Sequence, residues 1–101
     1  MSSDLMARYG RRFIHSARER LATVPALDGD DAAAAARALA FHLHSISGEA
    51  AMIGFAELSQ RAREVMRTAR AVETGTTAPG ECAAQLARLS QLVDELERAL
   101  P

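Results

Sequence analysis

Lysine is absent from this chain, so all twelve of its basic residues are arginine. Tryptophan is absent too, and the aromatics are three Phe and one Tyr. Surface for stacking nucleobases or flat cofactors is therefore scarce. The lone Cys82 excludes an intrachain disulfide and suits a small buried hydrophobe. No run approaches the ~18 apolar residues of a membrane span. No charge of one sign dominates: 12 basic and 13 acidic residues leave a net charge of −1. That balance argues against nucleic acid as the main partner. The segment from Met1 to Arg8 lacks the basic start and apolar core of a signal peptide. The expectation is a cytoplasmic protein with no membrane association.

What is present is helical periodicity. At 101 residues the chain fits one domain over 1–101, large enough to bury roughly two-thirds of the surface its unfolded form exposes. Met6, Tyr9, Phe13, Ala17, Leu21 and Val24 recur every three or four residues. Ser2 or Ser3 can cap this helix, Gly10 can mark a break in it, and Pro25 closes it. Asp28-Gly29-Asp30-Asp31 reads as a turn with capping acids. Five alanines, Ala32 to Ala36, then lead into Leu39, Leu43, Ile46, Ala50 and Ile53. Gly54 breaks that stripe. A third follows through Phe55, Leu58, Ala62, Val65, Ala69 and Val72. Gly75 to Gly80 has the chemistry of a loop. The last stripe is Cys82, Leu86, Leu89, Val93, Leu96 and Leu100, widened by Leu92. No segment alternates with period two. The pattern predicts helices over 3–24, 30–51, 55–73 and 79–100. They should form an all-α, antiparallel up-down-up-down four-helix bundle, closed as a monomer.

Three histidines carry the available chemistry. His15 is read as structural or solvated. His42 and His44 project about 200° apart on one helix, whereas a metal pair on one face wants i, i+4 spacing. No metal site is expected. His44 has Ala40 one turn back and Gly48 one turn on, so small residues flank its ring on both sides. A glycine inside a helix costs about 1 kcal/mol, which points to an access or packing reason.

His44-x-Ile46-x-Gly48, followed by Gly54 and then Leu58, resembles the histidine-containing phosphotransfer (HPt) domains of phosphorelays. Their signature is His-x-Leu-Lys-Gly, a second Gly ten residues after the histidine, and a Leu four residues beyond. The resemblance extends over most of the chain. It implies a phosphocarrier of two-component signalling whose His44 takes a phosphoryl group from a receiver aspartate or gives one to it. The partners it implies are the receiver domain of a response regulator, a hybrid histidine kinase, or both. It implies no ATP chemistry and no cofactor or metal of the carrier's own. A neutral imidazole is a usable nucleophile near pH 7, and phosphoryl transfer depends mainly on positioning and charge stabilisation.

One position departs from the signature: its lysine is Ser47 here. Serine donates a hydrogen bond without adding charge. The first candidate for a replacement cation is Arg37, seven residues before His44 on nearly the same azimuth. Arg63, Arg67 and Arg70 share one side of the third helix, with Glu57, Glu64 and Glu73 nearby. That reads as a salt-laced solvent face, with docking of an acidic receiver face as the alternative. The expected site is thus His44 as phosphoacceptor with Ser47, Gly48, Arg37, Ala40 and Gly54 around it. The rival to phosphotransfer is a bundle of the same fold that binds a receiver or kinase as a regulatory module.

Overall fold

A computed structural model describes residues 3–101. Its four helices are α1 (Ser3–Ala22), α2 (Ala32–Met52), α3 (Ala56–Glu73) and α4 (Pro79–Ala99). Their ends lie within two residues of those the periodicity predicts. Cross-helix contacts fix the directions. Arg20 and Thr23 meet Glu49 and His42, Arg37 and Ser47 meet Glu73 and Ser59, and Arg11 and Arg18 meet Pro101 and Asp94. In each pair of segments the numbering runs in opposite senses, so neighbouring helices are antiparallel. The α2–α3 hairpin has the most extensive interface.

The helix ends follow from local chemistry. The Asp31 side chain accepts a hydrogen bond from the Ala34 N–H at 3.0 Å, capping α2. The cap expected of Ser2 falls outside the described residues, and Ser3 is the first residue of α1. At the end of α2, Gly54 takes φ +89. Phe55 N–H then reaches the Ala50 carbonyl at 2.8 Å, and Gly54 N–H reaches that of Ala51 at 3.3 Å. This is the Schellman pattern, which satisfies carbonyls the helix would leave bare. Gly75 repeats it after α3, with φ +81 and a 2.8 Å bond from Thr76 N–H to the Ala71 carbonyl.

All four helices contribute to one aliphatic core. Leu39, Leu43, Ile46 and Leu58 are fully buried, each worth about 1.5–3 kcal/mol relative to exposure. The stripes of α2 and α3 point inward as expected. On α1 the buried face is Ala7, Phe13, Ile14 and Ala17, while Met6 and Tyr9 are exposed. Gly10 does not break α1. It is buried, and a Cβ there would meet Phe55 and Leu100 side-chain atoms at 3.2 Å. Close approach, not a hinge, is its reason. Burial also raises the Cys82 thiol pKa above its ordinary value.

Candidate functional site

The azimuths of α2 divide its side chains into three groups. Leu39, Leu43, Ile46 and Ala50 face the core. Glu49 and His42 face α1, where Glu49 pairs with Arg20 at 3.1 Å. The remaining face carries Arg37, Phe41, His44, Gly48, Ala51 and Met52, all exposed.

His44 therefore stands on the open face. His42 is half-buried, with its Nε2 3.2 Å from Thr23 Oγ1 and its ring edge-on to Phe41 at 5.5 Å. His42 Nδ1 is buried without a hydrogen-bond partner. The two rings are thus separated by environment as well as by azimuth. His15 lies exposed on α1 and pairs with Glu19, an acid one turn on, at 3.0 Å.

Gly48 is exposed, and a Cβ added there would meet nothing within 4 Å. No packing contact demands the glycine. Its effect is to leave the space beside the His44 ring clear. Gly54 shapes the turn that ends α2 and is not on the ring's face. Ala40 is 7% exposed and sits where the open face meets the α2–α3 interface.

Ser47 and Arg37 are placed differently from their sequence-based roles. Three residues of helix turn Ser47 about 60° away from His44, toward α3. It is 4% exposed, and its Oγ donates to the His44 backbone carbonyl at 2.9 Å. The Ser47 carbonyl in turn accepts a 2.8 Å hydrogen bond from Ser59 Oγ. The Ser59 hydroxyl thus ties the hairpin together, and Ser47 spends its own hydroxyl on the α2 backbone. Arg37 Nε donates to Glu73 Oε1 at 3.0 Å, near the far end of α3. It lies roughly 10 Å along the axis from His44. The Glu73 that was expected to balance the α3 arginines is occupied by Arg37. Among the described residues, Arg63, Arg67 and Arg70 have no ion-pair partner, so the salt-laced reading of that face does not hold.

Two side chains that sequence reasoning passed over share the open face with His44. Phe41 is 71% exposed and Met52 is 87% exposed. The signal for both was available: they are large apolar residues that fall off the core stripe, three before and eight after the histidine. Together with Gly48 and Ala51 they make the surroundings of the ring mostly apolar. Among the described residues, no three His, Cys, Asp or Glu side chains gather to hold a metal ion. No helix there is long and apolar enough to cross a membrane.

His44 thus lies on an exposed helix face and lines neither of the two grooves along α3. The family model described as Hpt domain matches residues 9–100. No curated protein and no solved structure matches. Hpt domains serve histidine phosphotransfer in phosphorelays and are phosphocarriers rather than enzymes. Since the match takes in most of α1 and all of α2, α3 and α4, the chain belongs to the Hpt domain family.

Proposed function

We propose that this chain is a histidine phosphotransfer protein. Its His44 relays a phosphoryl group to or from the aspartate of a response-regulator receiver domain. The reading is carried by one observation: His44 is exposed on the open face of a rigid helix, while His42 is half-buried and hydrogen-bonded. The carrier works as a cytoplasmic monomer and meets a receiver, free or within a hybrid histidine kinase.

The transfer is a displacement at phosphorus. One nitrogen of the neutral imidazole supplies a lone pair, and the other keeps its proton. The N–P bond forms as the P–O bond to the receiver aspartate breaks, and the carboxylate leaves with the electron pair. The reverse transfer retraces the same path. The receiver contributes its own acidic cluster and metal. The carrier's part is to hold the ring in line, which its place in mid-helix does at little entropic cost. Phe41 and Met52 add apolar area that docking removes from water. Full burial of either is worth about 1.5–3 kcal/mol. Gly48 keeps the approach clear.

The test is radiolabel transfer from a phosphorylated receiver to the chain and to its His44→Gln and His42→Gln variants. Acid-labile label should enter the wild type and His42→Gln, and should not enter His44→Gln. Label retained in His44→Gln and lost in His42→Gln would reverse the assignment. The absence of a cation within one turn of His44 on α2 favours a second reading. The same face would then bind a receiver and regulate it by occupancy. That reading predicts a receiver complex in which the chain never takes label.

A further inference from the structure

A phosphoryl group on His44 carries about 1.5–2 negative charges near neutral pH. Nothing on α2 answers that charge. From Ala40 to Gly48 there is no arginine, Ser47 is turned inward, and Arg37 is bound to Glu73. The neighbouring helix supplies what α2 lacks.

The Ser59–Ser47 hydrogen bond sets the register of the hairpin. Three residues back from Ser47 is His44, about 4.5 Å along α2. Four residues on from Ser59 is Arg63, about 6 Å along α3 in the same direction, because the helices are antiparallel. His44 and Arg63 therefore stand nearly level. The axes of packed helices lie about 8–10 Å apart, a gap that an extended arginine side chain bridges. Arg67 follows one turn beyond. Both arginines, with Gln60, Ser59 and Ala56, line a groove of about 500 Å³ whose α2 wall is Ala51. Ala51 is seven residues after His44 and about 20° from it in azimuth, so the groove borders the flank of α2 on which the ring sits.

The charge in this groove is uncompensated. No carboxylate lines it. The groove on the other side of α3 mixes Arg61 and Arg88 with Glu57, Glu64 and Glu95. Arg63 and Arg67 are exposed and have no ion-pair partner among the described residues.

We infer that Arg63, seconded by Arg67, binds the oxygens of the phosphoryl group carried by His44, so that the stabilising charge comes from α3 instead of α2. The inference rests on the phosphocarrier reading above. A guanidinium fork suits this task, since it donates two hydrogen bonds to phosphoryl oxygens and never loses its charge. It favours transfer because the non-bridging oxygens keep their charge while the P–O bond to the donor breaks and the N–P bond forms.

The test uses phosphoramidate as the phosphoryl donor, so that no receiver is needed. The N–P bond to ammonia breaks, the N–P bond to His44 forms, and ammonia leaves with a proton. Phosphohistidine formation and loss are followed by ³¹P NMR in the full chain and three variants. The Arg63→Gln/Arg67→Gln pair should slow formation by about tenfold, the factor expected for losing one charged hydrogen bond. The Arg63→Lys/Arg67→Lys pair should recover most of the rate. Arg61→Gln removes the same charge from the other side of α3 and should stay within about twofold of wild type, a factor that would amount to under half a kcal/mol. A rate equal to wild type in the glutamine pair, or an equal loss in Arg61→Gln, overturns the inference. In the unmutated chain, the side-chain Nε–H resonances of Arg63 and Arg67 should shift on phosphorylation while that of Arg61 holds still. A shift in none of the three also overturns it. If the wild type takes no label on His44, the phosphocarrier reading fails and this inference with it. Labelling of His44 that is indifferent to Arg63 and Arg67 removes this inference alone.

Discussion

On α2, His42 and His44 are separated by one residue and by about 200° of rotation. The first is half-buried against Thr23 and Phe41, with one ring nitrogen sealed from water and unpartnered. The second is exposed, with Gly48 one turn on and the exposed Phe41 and Met52 on the same open face. Histidine chemistry is the same at both positions. What differs is access, and access is set by which neighbour the helix turns toward. The contrast extends to the whole helix: the side that makes the bundle is tightly filled, and the side that bears His44 is left open with large apolar residues in water. A helix folded for stability alone has no use for the second side.

The comparison breaks most easily at residues 41 and 43. Leu43 is fully buried, so Leu43→Ala should lower stability by about 2–5 kcal/mol. Phe41→Ala should change stability by no more than about 0.5 kcal/mol yet weaken receiver binding, because its ring is 71% exposed and meets only the edge of His42 within the chain. Urea denaturation and a receiver titration measure the two effects. Equal destabilisation by both substitutions would mean that the open face is a packed one. Next in size is Gly54→Ala. The φ of +89 at this exposed turn penalises any side chain, by about 1–2 kcal/mol. Thermal unfolding should report that loss while labelling of His44 persists. Ser59→Ala removes the hydrogen bond that pins the hairpin register, at a cost of about 0.5–1.5 kcal/mol. A small drop in urea midpoint with unchanged slope is the expected signature.

The hairpin that carries the site was legible in the sequence, and its surroundings were less so. The stripes of α2 and α3 stand out because Leu, Ile and Val mark one face of each. On α1 the periodicity pointed to Met6 and Tyr9, but the buried face there uses Ala7, Gly10 and Ile14. Gly10 belongs to that face because Phe55 and Leu100 come close there, and hydropathy weighs small residues lightly. Gly54 was visible as an interruption, and the structure adds that it closes α2 by hydrogen bonds. Glu19, one turn after His15, was equally visible and went unused. The roles of Ser47 and Arg37 depended on where α3 lies around α2. A helix spacing gives the angle between two residues of one helix, but not the direction of its neighbour. Sixty degrees sufficed to move Ser47 from the His44 side to the interface. For the same reason Arg63 and Arg67 read as solvated charges until the hairpin register brought Arg63 level with His44 and Arg67 one turn beyond it.

Gly48 offers the smallest effect and the sharpest comparison of the two sides. Inside a helix, glycine is less favourable than alanine by about 0.5–1 kcal/mol. At this position a Cβ meets nothing, so no contact offsets that cost. Gly48→Ala should therefore stabilise the fold by about 0.5–1 kcal/mol, seen as a rise in Tm of roughly 2–8 °C for a domain of this size. If the glycine served packing, alanine would destabilise instead. Its value must then lie in function. A methyl one turn from His44 narrows the approach to the ring, and a larger side chain narrows it more. Transfer from a phosphorylated receiver should fall progressively through Gly48→Ala and Gly48→Leu. Labelling by phosphoramidate, a donor small enough to pass, should fall much less. Stability and receiver transfer then move in opposite directions at one residue. A stabilised Gly48→Leu that still exchanges phosphoryl groups with a receiver at the wild-type rate would show that the open side of α2 is not the docking side.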